Sequence, residues 1–143
     1  MVSQSRQKNN IGKIRDAGYQ VGARRTMPVH FEQAWKLIIS PDAVKIWLSD
    51  SPALRFIKGA TYHLTDGSSG EIRVFKPNSH LRMTWKPKDW KKPSTLQIRI
   101  IPNGNKTVFA FHQENLPGPE AREQRLVFFK SVLDRLEQLI RSE

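Results

Sequence analysis

Between residues 60 and 112, apolar and polar side chains alternate in short runs that are separated by turn residues. Such alternation predicts antiparallel strands with one buried and one exposed face. The apolar members include Ala60, Tyr62, Leu64, Leu81, Met83, Trp85, Leu96, Ile98, Ile100, Phe109 and Phe111, with a further run over Glu71–Phe75. Turns are predicted at 66–70, at 76–78 and at Asn103-Gly104. The pattern therefore predicts an antiparallel meander whose apolar face is buried against another element.

The segment after this meander, residues 120–142, carries apolar side chains at the spacing of one helix face. The stripe consists of Leu126, Phe128, Phe129, Val132, Leu133, Leu136, Leu139 and Ile140, whereas Val127 lies opposite it. An apolar helix stripe and an apolar sheet face bury each other. We therefore predict an α+β fold in which a curved antiparallel sheet of about six strands wraps on a long C-terminal helix.

The segment before the meander predicts one strand and two short helices. Tyr19–Val29 begins with alternating apolar residues and is ended by Pro28, which is typical of a strand. Residues 30–50 then show helical spacing on both sides of Ser40-Pro41, where Ser is a favoured N-cap and Pro fits the first helical position. The predicted order is β-α-α-β-β-β-β-β-α.

The length of 143 residues fits one domain. Residues 1–17 are polar and basic without periodicity, so we predict a flexible basic tail there and a single domain over 18–143. No apolar run approaches about 18 residues, which excludes a membrane-spanning helix. The N-terminal segment lacks the apolar stretch of a signal peptide, so we expect a cytoplasmic protein. We favour a monomer.

The net charge of +11 is concentrated in two segments. Residues 1–25 and residues 81–100 each hold six basic and one acidic residue. In the second segment, Lys86, Lys88, Lys91 and Lys92 surround Trp90. Such a loop can contact phosphates or anionic lipid, or can simply be a solvated surface. Since no nucleic-acid-binding motif accompanies it, we do not expect nucleic acid as the partner.

Catalytic and metal-binding patterns are weak in this chain. It has no Cys, which excludes disulfides, thiolate metal sites and a Cys nucleophile. His112 and Glu114 share a strand face that we predict to point outward, but no motif supplies a third metal ligand. Glu114 and Glu120 are the candidate pair for acid–base chemistry, but the signal is weak and solvated surface is the better explanation of both. We therefore assign no catalytic residue, metal or cofactor, and favour a binding module over an enzyme.

A curved sheet that grips one helix often leaves a cavity between them, which is the default ligand site in a small domain. Whether it is open or filled by its own large residues is not decided by the sequence. The predicted lining residues are Trp35, Trp47, Tyr62, Leu64, Met83, Trp85, Ile98, Phe109, Phe111, Arg125, Leu126, Phe129 and Leu133. Arg122 and Arg125 extend the apolar helix face. Each can reach solvent, pair with a carboxylate such as Glu114, or bind an anionic ligand.

Several short motifs in order resemble the START-like, or SRPBCC, helix-grip superfamily. They are RRTMPV (24–29), AW (34–35), SP (40–41), WL (47–48), GEIRV (70–74), RMTW (82–85), STLQIRI (94–100) and FHQENL (111–116). Within the superfamily, the chain looks like bacterial homologues of the activator of the 90-kDa heat-shock chaperone ATPase. Phe129 stands where that family often carries Trp, and Ser49 where Gly is common, so both can reshape a pocket.

The resemblance implies a helix-grip scaffold that binds a small apolar or amphipathic molecule, of the lipid or polycyclic aromatic type, between sheet and helix. Relatives in the superfamily include lipid carriers and polyketide cyclases, so a cyclase or hydrolase in the same cavity is one alternative. Another is a protein that contacts a chaperone or nucleic acid through its basic surface. Fold alone does not decide among these functions.

Overall fold

The computed structural model describes residues 13–14, 18–49 and 54–142. The predicted tail lies outside these residues except for Lys13–Ile14, which form a two-residue strand paired with Gly18 and Tyr19. The division into a basic tail over 1–17 and one domain over 18–143 remains a prediction.

In the described residues one antiparallel sheet holds seven strands in the order β1-β2-β7-β6-β5-β4-β3. They are β1 (Lys13–Ile14), β2 (Gly18–Met27), β3 (Thr61–His63), β4 (Ser69–Lys76), β5 (His80–Trp85), β6 (Ser94–Asn103) and β7 (Lys106–Leu116). The described helices are α1 (Phe31–Ile38), α2 (Pro41–Trp47) and α3 (Pro119–Arg141). The predicted α+β class, element order and meander are confirmed, and β2 returns to pair with β7.

Two short helices follow β2 because their ends are capped by local side chains. The Ser40 hydroxyl accepts a hydrogen bond from the Ala43 amide at 3.3 Å, and donates one to the Leu37 carbonyl at 2.6 Å. One side chain thus satisfies the end of α1 and the start of α2. The Trp47 indole donates to the Ile38 carbonyl at 2.8 Å, which holds the two helices together.

The core lies between the inner face of the sheet and α3. Phe109 and Phe129 are 0 % exposed, and the ring of Phe111 lies 5.5 Å from that of Phe129. Val127, on the opposite side of α3, is 67 % exposed. The predicted apolar stripe of the helix therefore faces the sheet, and burial of this stripe is the main force that holds the two layers together.

The two ends of the groove between sheet and α3 differ in chemistry. At the end closed by α1 and α2, aromatic rings contact one another: Trp35 with Phe75, Phe75 with Phe56, and Phe56 with Trp47. At the end where α3 begins, polar and charged side chains enter the groove.

The turn before β4 is shorter than predicted, because β4 begins at Ser69 and takes in Gly70. Gly70 pairs with Tyr62 of β3, and the Tyr62 ring crosses it so that the hydroxyl donates to the Thr84 carbonyl of β5 at 2.6 Å. Position 70 therefore requires glycine because the Tyr62 ring packs directly against its backbone, and not because of turn geometry. Among the described residues, no helix combines the length and the apolar character needed to cross a membrane.

Candidate ligand-binding site

A cation enters the groove near the start of α3. Arg125 lies one turn before Phe128 and Phe129 on the helix face that packs on the sheet. Its side chain therefore points at the inner face of the sheet, near the C-terminal ends of β5 and β7. Its Nε donates a hydrogen bond to Oε1 of Gln113 at 2.7 Å. Gln113 is 0 % exposed, which places this contact inside the molecule.

A chain of hydrogen bonds orients the Gln113 amide. Its Nε2 donates to the Ser94 hydroxyl at 2.8 Å, and that hydroxyl donates to the Trp85 carbonyl at 2.7 Å. Since Nε2 is used as a donor, Oε1 is left to accept from Arg125. The strand register produces this arrangement, because Ser94 pairs with Trp85 on one side of β6 and Leu96 pairs with Gln113 on the other.

Aromatic rings surround the guanidinium group of Arg125. Its Cζ lies 4.2 Å from the ring centroid of Trp85, 4.4 Å from that of Phe128 and 5.0 Å from that of Phe129. A cation over an aromatic face is attracted by the ring quadrupole, and more strongly where water is excluded. The rings therefore stabilise the charge without neutralising it.

No carboxylate neutralises this cation within the part of the chain that the structure describes. The hydrogen bond to Gln113 leaves from Nε, and neither terminal nitrogen donates to another described residue. Burial lowers the pKa of Arg125 to about 10, so the group stays protonated at neutral pH. Burial likewise raises the pKa of the nearby Tyr62 hydroxyl, which stays neutral. As far as the described residues go, the site therefore carries a net positive charge and has hydrogen-bond donors without acceptors.

The other predicted candidates have different partners. Arg122 donates from Nε to the Gln20 carbonyl at 2.8 Å and pairs with Glu123 at 3.1 Å. Of the alternatives that the sequence left open, Arg122 pairs with a carboxylate, that of Glu123, and neither arginine pairs with Glu114. Glu114 follows Gln113 on β7 and therefore lies on the other face of the sheet, as does His112, whose Nε2 shares a hydrogen bond with Gln20.

The predicted lining residues divide between the two ends of the groove. Tyr62, Trp85, Arg125 and Phe129 come together near the start of α3, whereas Trp35 and Trp47 pack at the other end. Those that are buried are Trp35, Trp47, Tyr62, Leu64, Met83, Ile98, Phe109, Phe111, Phe129 and Leu133, and those partly exposed are Trp85, Arg125 and Leu126. Their role as ligand contacts stays a prediction.

The sequence-based prediction missed Ser94, Gln113 and Phe128. A usable signal existed for the first two. Ser94 is in phase with the inward residues Leu96 and Ile98, and Gln113 with Phe109 and Phe111. A polar residue at an inward position of a strand needs a hydrogen-bond partner, which makes it a candidate for a functional site.

Trp90 lies beside this site. Its ring meets that of Trp85 edge-on at 5.3 Å between centroids, and it lines a cleft of about 680 Å³. Lys91 and Lys92 of the predicted basic loop also line this cleft, together with Gly18, Asp89, Pro93, Asn115, Leu116 and Pro117. Within the described residues, no three His, Asp or Glu side chains converge as metal ligands.

Residues 28–141 match the family model described as Activator of Hsp90 ATPase homolog 1-like protein. The chain belongs to this family. The expected resemblance is thus confirmed, and the match covers α1 to α3 and every strand from β3 to β7.

Individual relatives of this family are distant. A mouse protein, activator of 90 kDa heat shock protein ATPase homolog 1, is 24 % identical over 97 residues, which are 66 % of this chain and 29 % of that protein. The chain thus spans less than a third of the length of this curated relative.

Solved structures show the same fold. Protein MLL2253 from Mesorhizobium loti superposes with a TM-score of 0.74 at 18 % identity, over 86 % of this chain and 97 % of that one. CalU16 from Micromonospora echinospora gives 0.74 at 21 % identity, over 90 % and 80 %. At these identities the likeness establishes the helix-grip architecture and leaves function to the residues themselves.

Proposed function

We propose that this protein binds a small amphipathic molecule that carries an acidic group. The acidic group pairs with Arg125, and the apolar part lies against the aromatic rings near the start of α3. The observation that carries the proposal is the half-buried cation of Arg125, stacked on Trp85 and Phe128 and paired with no described carboxylate.

The desolvation of Arg125 makes the binding of an anion favourable at this site. An Arg that loses water on burial recovers little of its hydration from one neutral amide. A ligand carboxylate supplies charge-assisted hydrogen bonds to the two terminal nitrogens, in the bidentate geometry that guanidinium prefers. The apolar part of the ligand then contacts the rings of Trp85 and Phe128.

A matched pair of probes tests the proposal. We expect naphthalene-2-carboxylate to bind at least about tenfold more tightly than 2-naphthalenemethanol, since a charged hydrogen bond contributes about 1.5–3 kcal/mol. Arg125→Met keeps the length of the side chain and is expected to remove this preference. Affinities are measured by calorimetry, and amide chemical shifts show whether β5, β7 and α3 respond.

Arg122→Met is the control, because it removes a cation one turn earlier on α3 that already has protein partners. It is expected to leave the preference unchanged. An Arg125→Met protein that folds and still prefers the carboxylate contradicts the proposal, as does the absence of saturable binding of either probe to the wild type.

A second candidate function is contact with a heat-shock chaperone. It is favoured by the family match and by the mouse relative, whose name describes an activator of a 90 kDa heat shock protein ATPase. The exposed Lys88, Lys91 and Lys92 supply a basic surface for it. The test is the rate of ATP hydrolysis by that chaperone with and without this protein, and an unchanged rate in molar excess contradicts this function.

A further inference from the structure

The outer face of the sheet gathers arginines that are distant in sequence. The helices α1 and α3 pack on the inner face, and no described helix covers the other. On that outer face, the register places Arg99 of β6 and Arg24 of β2 on opposite sides of Ala110 of β7. Adjacent strands lie about 4.8 Å apart, so the two arginine Cα atoms are about 10 Å apart across a small residue.

A trough lies between these two arginines. It has a volume of about 430 Å³ and is lined by Gly22, Ala23, Arg24, Gln97, Arg99, Ala110, Phe111 and His112. The small residues Gly22 and Ala110 form its floor, because their neighbours across the strands are larger. In the next row of the register Gln97 pairs with His112, and His112 with Gly22.

Positive charge dominates this trough. Arg82 of β5 extends it, with Nη2 donating to Oε1 of Gln97 at 2.8 Å. Neither Arg24, Arg82 nor Arg99 forms an ion pair with a described carboxylate. Burial, followed by the charges of Arg99, Lys76 and Arg82, lowers the pKa of His80 at the same edge.

The neighbouring Arg25 shows that strand direction decides which arginine of β2 meets the acidic residues of α3. Arg25 follows Arg24 in β2 and points inward, where Nη1 meets Asp134 at 2.7 Å and Glu137 at 3.2 Å on α3. Of these two adjacent arginines, Arg25 is neutralised by α3, whereas Arg24 meets no carboxylate in the part of the chain that the structure describes. The basic segments 1–25 and 81–100 thus meet on one surface, through Arg24, Arg82 and Arg99.

We propose that this trough binds a phosphate group, held between the guanidinium groups of Arg24 and Arg99 with Arg82 nearby. Guanidinium forks match the oxygens of phosphate, and a doubly charged group suits two arginines that line the same trough. The trough is larger than a single phosphate, so it has room for the first atoms of an ester substituent. The site lies on the opposite face of the sheet from Arg125 and is independent of it.

The experiment compares adenosine 5′-monophosphate with adenosine at low salt, by amide chemical shifts of the full chain. We expect saturable shifts at Gly22, Arg24, Arg99 and Ala110 with the phosphate ester and none with adenosine. The double variant Arg24→Gln/Arg99→Gln is expected to weaken binding by at least about tenfold, because two charged contacts are lost. Arg135→Gln on the exposed side of α3 removes one positive charge away from the trough and is expected to bind as the wild type.

An oligothymidylate arm distinguishes the source of the phosphate. If the natural ligand is a nucleic-acid backbone, the oligonucleotide binds more tightly than the monophosphate and its affinity falls steeply with salt. If it is a free phosphate ester, the monophosphate binds at least as well. Either result supports the site only when the double variant loses affinity. Binding that survives in the double variant, or shifts confined to Lys91 and Lys92, overturns the proposal.

Discussion

Replacement of Phe129 by alanine is expected to lower the free energy of unfolding by about 3–5 kcal/mol, the usual range for a buried phenylalanine. The ring is 0 % exposed and contacts the rings of Phe111 and Phe128. It joins α3 to β7, so the variant loses apolar burial and leaves a cavity between the two layers. Urea denaturation of both proteins measures the difference.

Val127→Ala is the matched control, since Val127 lies on the same helix and is 67 % exposed. Its effect is expected to stay within about 0.5 kcal/mol. A loss below about 1 kcal/mol for Phe129→Ala would contradict close packing between α3 and β7, and would indicate open space beside the ring.

Gly70→Ala is expected to cost about 2–3 kcal/mol, near the upper end for an overpacked core site. A Cβ at this position would overlap the Thr84 carbonyl oxygen and would lie 2.5 Å from the Tyr62 hydroxyl oxygen. The Thr84 carbonyl is held by strand pairing and cannot rotate away, so β4 and the Tyr62 ring must both move. The hydrogen bond from Tyr62 to Thr84 is lost as a result.

Gly22→Ala provides the comparison, because Gly22 also lies within a strand. There a Cβ would meet its nearest atom, the Phe111 carbonyl oxygen, at 3.5 Å, which is ordinary contact. The free energy of unfolding is expected to change little, or to rise slightly as the unfolded chain loses freedom. Equal destabilisation by the two substitutions would show that the crossing of Tyr62 over Gly70 is not what makes Gly70 necessary.

Much of the fold is predictable from periodicity in this chain. Alternation at Leu81, Met83 and Trp85 identified an inward strand face, and the spacing of Phe129, Leu133 and Leu136 identified the helix face that covers it. Both predictions succeed because side-chain direction follows directly from the repeat of a strand or a helix. The turn at 66–70 was predicted too long, because Gly70 is required by packing against Tyr62 and not by turn geometry.

The candidate site was predictable only in part. Extending the helix stripe backwards identifies its cation, Arg125, but leaves solvent, a carboxylate such as Glu114 and a ligand anion open as partners. The structure provides Gln113. Gln113 and Glu114 are adjacent along β7, and a step of one position moves a side chain to the other face of the sheet. The inward direction of Gln113 and Ser94 is predictable from their phase with apolar neighbours, but their hydrogen-bond partners depend on the strand register.

By itself, the sequence determined the layers of this protein: which residues form strands, which face of each strand is buried, and which stripe of α3 meets them. These properties are local, since they depend on side chains a few positions apart. The tertiary structure alone decided that Arg125 stacks on Trp85 with no carboxylate partner among the described residues, and that Arg24 and Arg99 flank Ala110. Both depend on strand order and register, which join residues that are far apart along the chain.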